Sequence, residues 1–190
     1  RWAGVRHNGS PGIDGQKFNV TNTAASYLLA PSETVMLTNF RLEICNEVTQ
    51  SSNDGDYTLR HAIDCSLDGE TITLNSIIPS STINLHQPIQ LEKNLIIRGQ
   101  ENAQITIDGS LLNNLSLFQI GAGKSITLEN VTIKCSNGNI NGRCLFNDGG
   151  NLILKNVNLI DNISNIFGNS IYSTSTGSVD IQNNVTLKKQ

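Results

Sequence analysis

The sequence has few charged residues, and no segment gathers charges of one sign. Charged residues make up 15% of the 190 residues, against roughly 25% in an average soluble protein. Binding to nucleic acid needs clustered Lys and Arg side chains that release counterions from the phosphates. Because the formal net charge is −3 and no basic cluster is present, the chain is predicted not to bind nucleic acid.

Long apolar runs are missing as well. A membrane-spanning helix needs about 20 consecutive apolar residues, and no run approaches this length, so we expect no membrane insertion of this segment. No basic and apolar signal peptide opens the chain, which starts at Arg1. Because the repeated pattern described below breaks off at both ends, we expect the sequence to be a segment of a longer protein.

Neutral polar residues take the place of the missing charges. The chain contains 25 Asn and 16 Gly, a composition typical of tight turns and neutral polar surfaces. Asn also stands at the centre of a recurring phrase, with a short run of alternating apolar and polar residues on each side. The copies cover residues 33–44, 124–135, 150–160 and, more loosely, 177–187, and their central residues are Asn39, Asn130, Asn156 and Asn183.

The recurring phrase predicts a solenoid. The last three Asn lie 26 and 27 residues apart, which is the spacing of stacked coils rather than of hairpins. Apolar pairs fall into three columns: Leu95/Ile97, Ile126/Leu128, Leu152/Leu154, Val179/Ile181; then Ile105/Ile107, Val131/Ile133, Val157/Leu159, Val185/Leu187; and, less regularly, Phe118/Ile120, Leu145/Phe146, Ile171/Tyr172. Three short strands per turn predict an all-β parallel β-helix with Leu, Ile and Val directed inward. An antiparallel β-sandwich also offers many short strands, but it does not require Asn at a constant phase.

One segment departs from the strand pattern. Residues 46–57 have the composition of a polar loop, and Leu59, Ala62 and Ile63 then follow at helical spacing. Asp56 or Thr58 is the expected N-cap. A short amphipathic helix in front of stacked rungs is expected to cap the apolar end and the unpaired strand edge.

The cap divides the chain into three parts. Residues 1–45 match residues 107–135 and are interpreted as the terminal rungs of a preceding β-helical unit, residues 46–69 as the loop and capping helix, and residues 70–190 as the body. In the alternative interpretation, residues 1–45 fold back as additional rungs of a single body.

Four cysteines are present. Cys135 and Cys144 bracket a loop rich in Gly and Asn, and Cys45 and Cys65 flank the capping segment. An even number with one close pair suits disulfides in an oxidising compartment. Buried free thiols are the alternative, and a zinc site lacks a Cys-x-x-Cys or a His pair.

The repeated Asn are predicted to have a structural role. Asn tolerates left-handed backbone at a corner, and its amide can bond to the amide of the next rung, forming a ladder. The alternative is glycosylation, because Asn130 and several other Asn stand in Asn-x-Ser/Thr triplets. In a chain this rich in Asn and Thr such triplets also arise by chance.

The capping segment and the rungs that follow it resemble a known module. The phrases Thr58-Leu-Arg-His-Ala-Ile63, Asp68-Gly-Glu-Thr-Ile72, Thr82-Ile-Asn-Leu85 and Thr106-Ile-Asp-Gly109 are similar to a repeat in large secreted proteins of the Bacteroidota. The resemblance implies a right-handed parallel β-helix of the pectin-lyase-like type in adhesins, stalks and appendages, located outside the cell.

Catalytic activity depends on particular side chains, because a fold alone does not decide activity. Polysaccharide lyases and hydrolases need carboxylates, or Ca²⁺ with a basic side chain, gathered on one face. The predicted outward columns mix Thr, Ile, Asp, Glu, Lys and Gln instead. We therefore expect a structural or adhesive module without enzymatic activity, metal or cofactor. Its expected partners are neighbouring repeats and further copies in a homo-oligomer or filament, and a carbohydrate-binding or carbohydrate-cleaving domain is the alternative.

Overall fold

The computed structural model describes residues 45–75, 81–101, 105–138, 140–161 and 170–189. The predictions for residues 1–44, including the place of Asn39 in the ladder, lie outside these ranges. One helix, α1, spans Leu59–Cys65. The strands are β1 Glu47–Val48, β2 Glu70–Leu74, β3 Thr82–Asn84, β4 Ile89–Leu91, β5 Leu95–Gly99, β6 Ile105–Asp108, β7 Phe118–Ile120, β8 Ser125–Lys134, β9 Leu145–Asn147, β10 Asn151–Asp161, β11 Ile171–Ser173, β12 Ser178–Gln182 and β13 Thr186–Lys189.

The described strands pair in parallel and stack as a β-solenoid of about five turns, which confirms the predicted fold class. The first face runs through β1, β2, β5, the first half of β8, the first half of β10 and β12. The second face runs through β3, β6, the later halves of β8 and β10, and β13. The third face is the four-stranded sheet β4-β7-β9-β11.

The first two apolar columns have the predicted register. Leu95, Ile126, Leu152 and Val179 follow one another on the first face, and Ile107, Ile133, Leu159 and Leu187 do so on the second. Six of these eight side chains are buried in one continuous core, whereas Val179 is partly buried and Leu187, on the last strand, is 66% exposed. Burial of a Leu, Ile or Val side chain contributes about 1.5–3 kcal/mol, so the stacked columns are the main source of stability.

The third column differs from its prediction. Phe118 and Ile120 are in register with Leu145 and Asn147, not with Leu145 and Phe146. Strand alternation therefore turns Phe146 outward, together with Tyr172 on the next rung. The inward position that a hydrophobic residue was expected to fill holds the buried amide of Asn147.

The capping segment combines a helix with a strand. Leu59, Ala62 and Ile63 are all buried in the core, and Thr58 is the N-cap, its hydroxyl accepting a hydrogen bond from the main-chain N–H of His61. The polar loop predicted for residues 46–57 is wrong in one part, because Glu47 and Val48 form strand β1 beside β2. The reason is that Val48 supplies an apolar side chain that is fully buried.

Candidate functional site

The predicted Asn positions lie at the corner between the first and second faces. Asn130, Asn156 and Asn183 have φ angles of 56°, 51° and 56°, the left-handed region that Asn tolerates better than most residues. The Asn156 Nδ2 donates to the Asn130 Oδ1 at 2.9 Å, and the Asn130 Nδ2 donates to the Gly99 carbonyl at 3.4 Å. The corner therefore bonds successive rungs through side-chain amides.

The Asn corner does not continue unchanged at either end of the stack. Gly99 takes the Asn position one rung earlier, where a Cβ atom would overlap the Asn130 carbonyl oxygen. At the other end, the pairing offset between β10 and the final strands grows from 27 residues at Lys155↔Gln182 to 28 at Asn158↔Thr186. One extra residue therefore separates β12 from β13, whereas β10 runs through the corner without a break.

A second polar ladder, which the sequence did not suggest, lies between the third and first faces. The Asn94 Oδ1 accepts a hydrogen bond from the Ser125 N–H at 2.8 Å. The Asn151 Nδ2 donates to the Ser125 Oγ at 3.3 Å, and the Ser178 Oγ donates to the Asn151 Oδ1 at 2.7 Å. These four residues occupy one position on successive rungs. Because none of them is apolar, hydrophobic periodicity does not mark them.

Asp68 extends this ladder toward the cap. Its carboxylate accepts hydrogen bonds from the main-chain N–H and the side-chain amide of Asn94, at 2.7 and 2.9 Å. The main-chain bond, followed by the side-chain bond, lowers the pKa of Asp68 below its usual value of 3.8. The negative charge is thus used to fix the first corner of the body.

Asn147 is a buried amide whose oxygen and nitrogen both have hydrogen-bond partners. Its Oδ1 accepts from the Gly150 N–H at 2.8 Å, and its Nδ2 lies 3.0 Å from the Gly150 carbonyl, 3.1 Å from the Ser173 Oγ and 2.9 Å from the Ser178 carbonyl. Burial of an amide is unfavourable unless it is hydrogen-bonded. Here the amide closes its own turn and joins it to the following rung.

The four cysteines form two disulfides. Cys135 is joined to Cys144 with a Cα–Cα distance of 4.4 Å, and Cys45 to Cys65 with a distance of 5.4 Å. The Cys135–Cys144 bridge is fully buried, whereas Cys45 and Cys65 are half-buried. Cys45 lies two residues before β1 and Cys65 ends α1, so this bridge ties the helix to the chain that enters the first strand.

Two cationic side chains hold α1 against the first rung. The Lys93 Nζ contacts the carbonyl oxygens of Ile63, Asp64 and Ser66 at 2.9, 2.6 and 2.9 Å, which places a positive charge on the free carbonyls of the helix end. Arg60 donates to the carbonyls of Gln87 and Pro88 at 2.9 and 3.0 Å.

The loop before the helix takes part in the same attachment. The Arg60 Nε lies 3.1 Å from the Asp54 carboxylate, and the Asn53 Oδ1 accepts from the His86 N–H at 2.8 Å. The loop therefore uses its side chains to bind the helix and the β3–β4 turn.

Charged residues at outward positions pair across rungs. The Arg98 Nε lies 2.8 Å from the Glu129 Oε2 on the first face, and the Lys134 Nζ lies 3.3 Å from the Asp108 Oδ2 on the second. Burial by itself would raise the pKa of Asp108, but hydrogen bonds from Ser110 and the contact with Lys134 outweigh it, and the pKa lies below 3.8. Within the described ranges, no three His, Cys, Asp or Glu side chains converge as a metal site would require.

The outward row of the third face is polar at one end and aromatic at the other. Gln90, Gln119, Phe146 and Tyr172 follow one another on successive rungs. The Gln90 Nε2 donates to the Gln119 Oε1 at 2.8 Å, and the Phe146 and Tyr172 rings are stacked with centroids 5.6 Å apart. The row therefore presents neutral polar and aromatic side chains and carries no charge.

Comparisons with known proteins add no assignment, because no family model, curated protein or solved structure matches this chain. In the part of the chain that the structure describes, no helix has the length and apolar character needed to span a membrane.

Proposed function

We propose that the chain is a structural and adhesive module of a large extracellular surface protein or filamentous appendage, which extends, self-assembles or attaches to surfaces or other cells. The observation that supports this function most directly is the amount of bonding between rungs. The Asn corner, the Asn94–Ser178 ladder and Asn147 each join consecutive turns through side chains. Such bonds add stiffness to a body whose turns otherwise interact only with their neighbours.

The two disulfides support the extracellular location in this proposal. Disulfides persist in oxidising compartments and are rare in the reducing cytosol. Both bridges lie at segments that interrupt the stacked strands, the Cys135–Cys144 loop and helix α1. In an extracellular protein they protect these segments from local unfolding.

The proposal also includes a relationship to a family of surface proteins, which the sequence suggested. The phrases around Thr58, Asp68, Thr82 and Thr106 favour a right-handed, pectin-lyase-like module of the kind found in Bacteroidota adhesins and appendages. In this structure the Thr58 phrase forms the N-cap and helix α1, and the other three phrases form β2, β3 and β6 with their turns.

Attachment is tested with beads that carry the oxidised chain. The beads are offered to glass, polystyrene and cultured cells under flow, and retention is compared with that of albumin-coated beads. We expect higher retention on at least one surface, and lower retention after reduction and alkylation, because loops that are no longer linked lose their fixed geometry. Retention equal to albumin on every surface would refute the adhesive part of the proposal.

A second candidate function, binding of a neutral polysaccharide, is favoured by the row on the third face. Aromatic rings pack against the apolar faces of sugars, and the amides of Gln90 and Gln119 can bond to hydroxyl groups. Strands in a sheet are about 4.8 Å apart, so four residues in a row offer repeated weak contacts to a chain of sugars, and such contacts add together.

The carbohydrate candidate is tested by co-sedimentation with insoluble cellulose, a neutral polysaccharide, and with gels of pectin and alginate, whose acidic sugars should bind less well to the neutral row. Tyr172→Ala should weaken binding about tenfold, since loss of an aromatic contact costs on the order of 1–2 kcal/mol. Tyr57→Ala is the matched control, because Tyr57 and Tyr172 are 38% and 37% exposed. Equal effects of the two substitutions would exclude the row as the binding surface, and release of unsaturated or reducing ends would indicate cleavage.

A further inference from the structure

Two neighbouring loops between the second and third faces form one ordered unit, which we call the lateral ridge: residues 109–117 and the described residues of 135–144. The loops pair side by side. The Asn114 N–H donates to the Asn137 carbonyl and the Asn137 N–H donates to the Leu112 carbonyl, both at 2.9 Å. The Asn137 Nδ2 also donates to the Ser110 carbonyl. The ridge therefore continues the rung-to-rung bonding of the sheets out into the loops.

The ridge is held rigid at several points. Cys135 and Cys144 close the second loop at its base. Gly138, at a φ of 115°, lets the two backbones approach, because a Cβ atom there would overlap the Asn114 side chain. In the first loop, Leu112 and Leu117 are buried and anchor the chain to the core. Ordering these loops on binding therefore has little further entropic cost.

The ridge exposes apolar side chains without charge. Leu111 is 65% exposed and Leu115 is 45% exposed; on the first loop, Leu111 directly precedes the anchor Leu112, and Leu115 lies between the two anchors. Residues 109–117 contain no charged residue, and in the second loop the one charged residue, Arg143, is buried. At the base of the ridge, Asp108 and Lys134 neutralise each other.

We propose that the lateral ridge is a self-association surface, occupied by the ridge of a second copy of this chain. A two-fold contact brings the same patch of both copies together, so a charged patch would repel itself, whereas this neutral patch does not. Placing Leu111 of one copy against Leu115 of the other removes both side chains from water. This inference rests on the proposed function, because it names the surface through which the module assembles side by side.

The test is sedimentation velocity of the oxidised full chain from about 1 µM to about 100 µM, the range in which weak apolar contacts associate. The variant is Leu111→Asn with Leu115→Asn, and both positions are exposed enough to leave the fold intact. We expect the wild type to form a dimer and the double variant to associate at least about tenfold more weakly, since two apolar side chains are lost from the contact. Thermal unfolding of each protein checks that the fold is unchanged.

Leu67→Asn is the matched control, because Leu67 is 47% exposed and lies outside the ridge. A wild type that stays monomeric throughout, or a control that weakens association as much as the ridge variant, would overturn the proposal. Association that strengthens as NaCl is removed would also contradict it, because a contact between charges, unlike an apolar one, is screened by salt. Each of these failures leaves the bead-attachment test unaffected, so the ridge and the adhesive function are tested separately.

Discussion

The buried amide of Asn147 allows a direct test of whether bonding between rungs stabilises this solenoid. Asn147→Leu replaces the amide by a side chain of similar size that suits the apolar column of Phe118 and Ile120. If the column needs only hydrophobic burial, the variant should be as stable as the wild type or more stable. If hydrogen bonding dominates, it should be less stable.

The magnitude follows from the contacts of Asn147. Its Nδ2 carries two hydrogens, so it supplies two bonds among its three acceptors, worth about 1 kcal/mol each, and loss of the Oδ1 leaves the Gly150 N–H buried and unpaired at a further cost of about 1–3 kcal/mol. Burial of the leucine returns about 2 kcal/mol. The net loss is about 1–3 kcal/mol, and a loss of 2 kcal/mol lowers the Tm by about 4–8 °C in a body of this size.

The assay combines urea unfolding at 25 °C with native-state hydrogen exchange. The unfolding midpoint should fall at an unchanged slope, and the amides of Gly150 and of β12 should lose protection before those of β2 and β5. Asn84→Leu makes the same change at an exposed outward position and should alter stability by no more than about 0.5 kcal/mol. An Asn147→Leu protein that matches or exceeds the wild type would refute the reasoning.

Three further predictions concern the charge pairs, the disulfides and the cap. Because the folded pKa of Asp108 is lowered, its stabilising effect is present above the unfolded pKa of about 3.9 and is lost as the pH falls through the folded value. The stability difference between wild type and Asp108→Asn should therefore shrink between about pH 5 and pH 2, and a constant difference over this range would contradict the assignment. Under a mild dithiol, alkylation and mass spectrometry should find Cys45–Cys65 reduced before Cys135–Cys144, because the latter is fully buried; the reverse order would show that burial does not control access. Lys93→Met should reduce stability by about 1–2 kcal/mol through loss of charged contacts to the helix end. The amides of α1 should exchange faster, whereas Lys188→Met should leave α1 protection unchanged.

The strand register was predictable because it depends on residues that repeat. Alternating Leu, Ile and Val marked the inward positions of β5, β8, β10 and β12, and one Asn at a constant phase fixed the turn length. The cap was also visible, because Leu59, Ala62 and Ile63 break the alternation with a helical spacing. In each case one physical requirement, burial of an apolar stripe, produces a periodic pattern.

The outward Phe146, the buried Asn147, the Asn94–Ser178 ladder and strand β1 could not be predicted from the sequence, because the role of their residues depends on the partners they contact. In Leu145-Phe-Asn-Asp-Gly149 the Asn resembles the start of a turn and Phe146 resembles a core residue, yet alternation from Leu145 reverses both assignments. The Asn94–Ser178 ladder alternates Asn and Ser, so neither residue repeats at a fixed turn length. Strand β1 has only two residues, too few for any periodicity, and pairing with β2 alone defines it.

The attachment of α1 has a consequence for how the chain finds its correct stacking. In a solenoid of similar rungs, a strand can pair with the wrong neighbour and shift the array by one whole turn while still burying an apolar column. The contacts of Arg60 with the Gln87–Pro88 turn, and of Lys93 with the helix end, both involve α1, the only α-helix among the described residues. These contacts define which rung lies next to the cap, and this rung sets the position of every later rung in the stack. The capping segment therefore fixes the register in which the rungs stack. A chain that lacks it would still bury its apolar columns, but an array shifted by one whole turn would be almost as stable as the correct one.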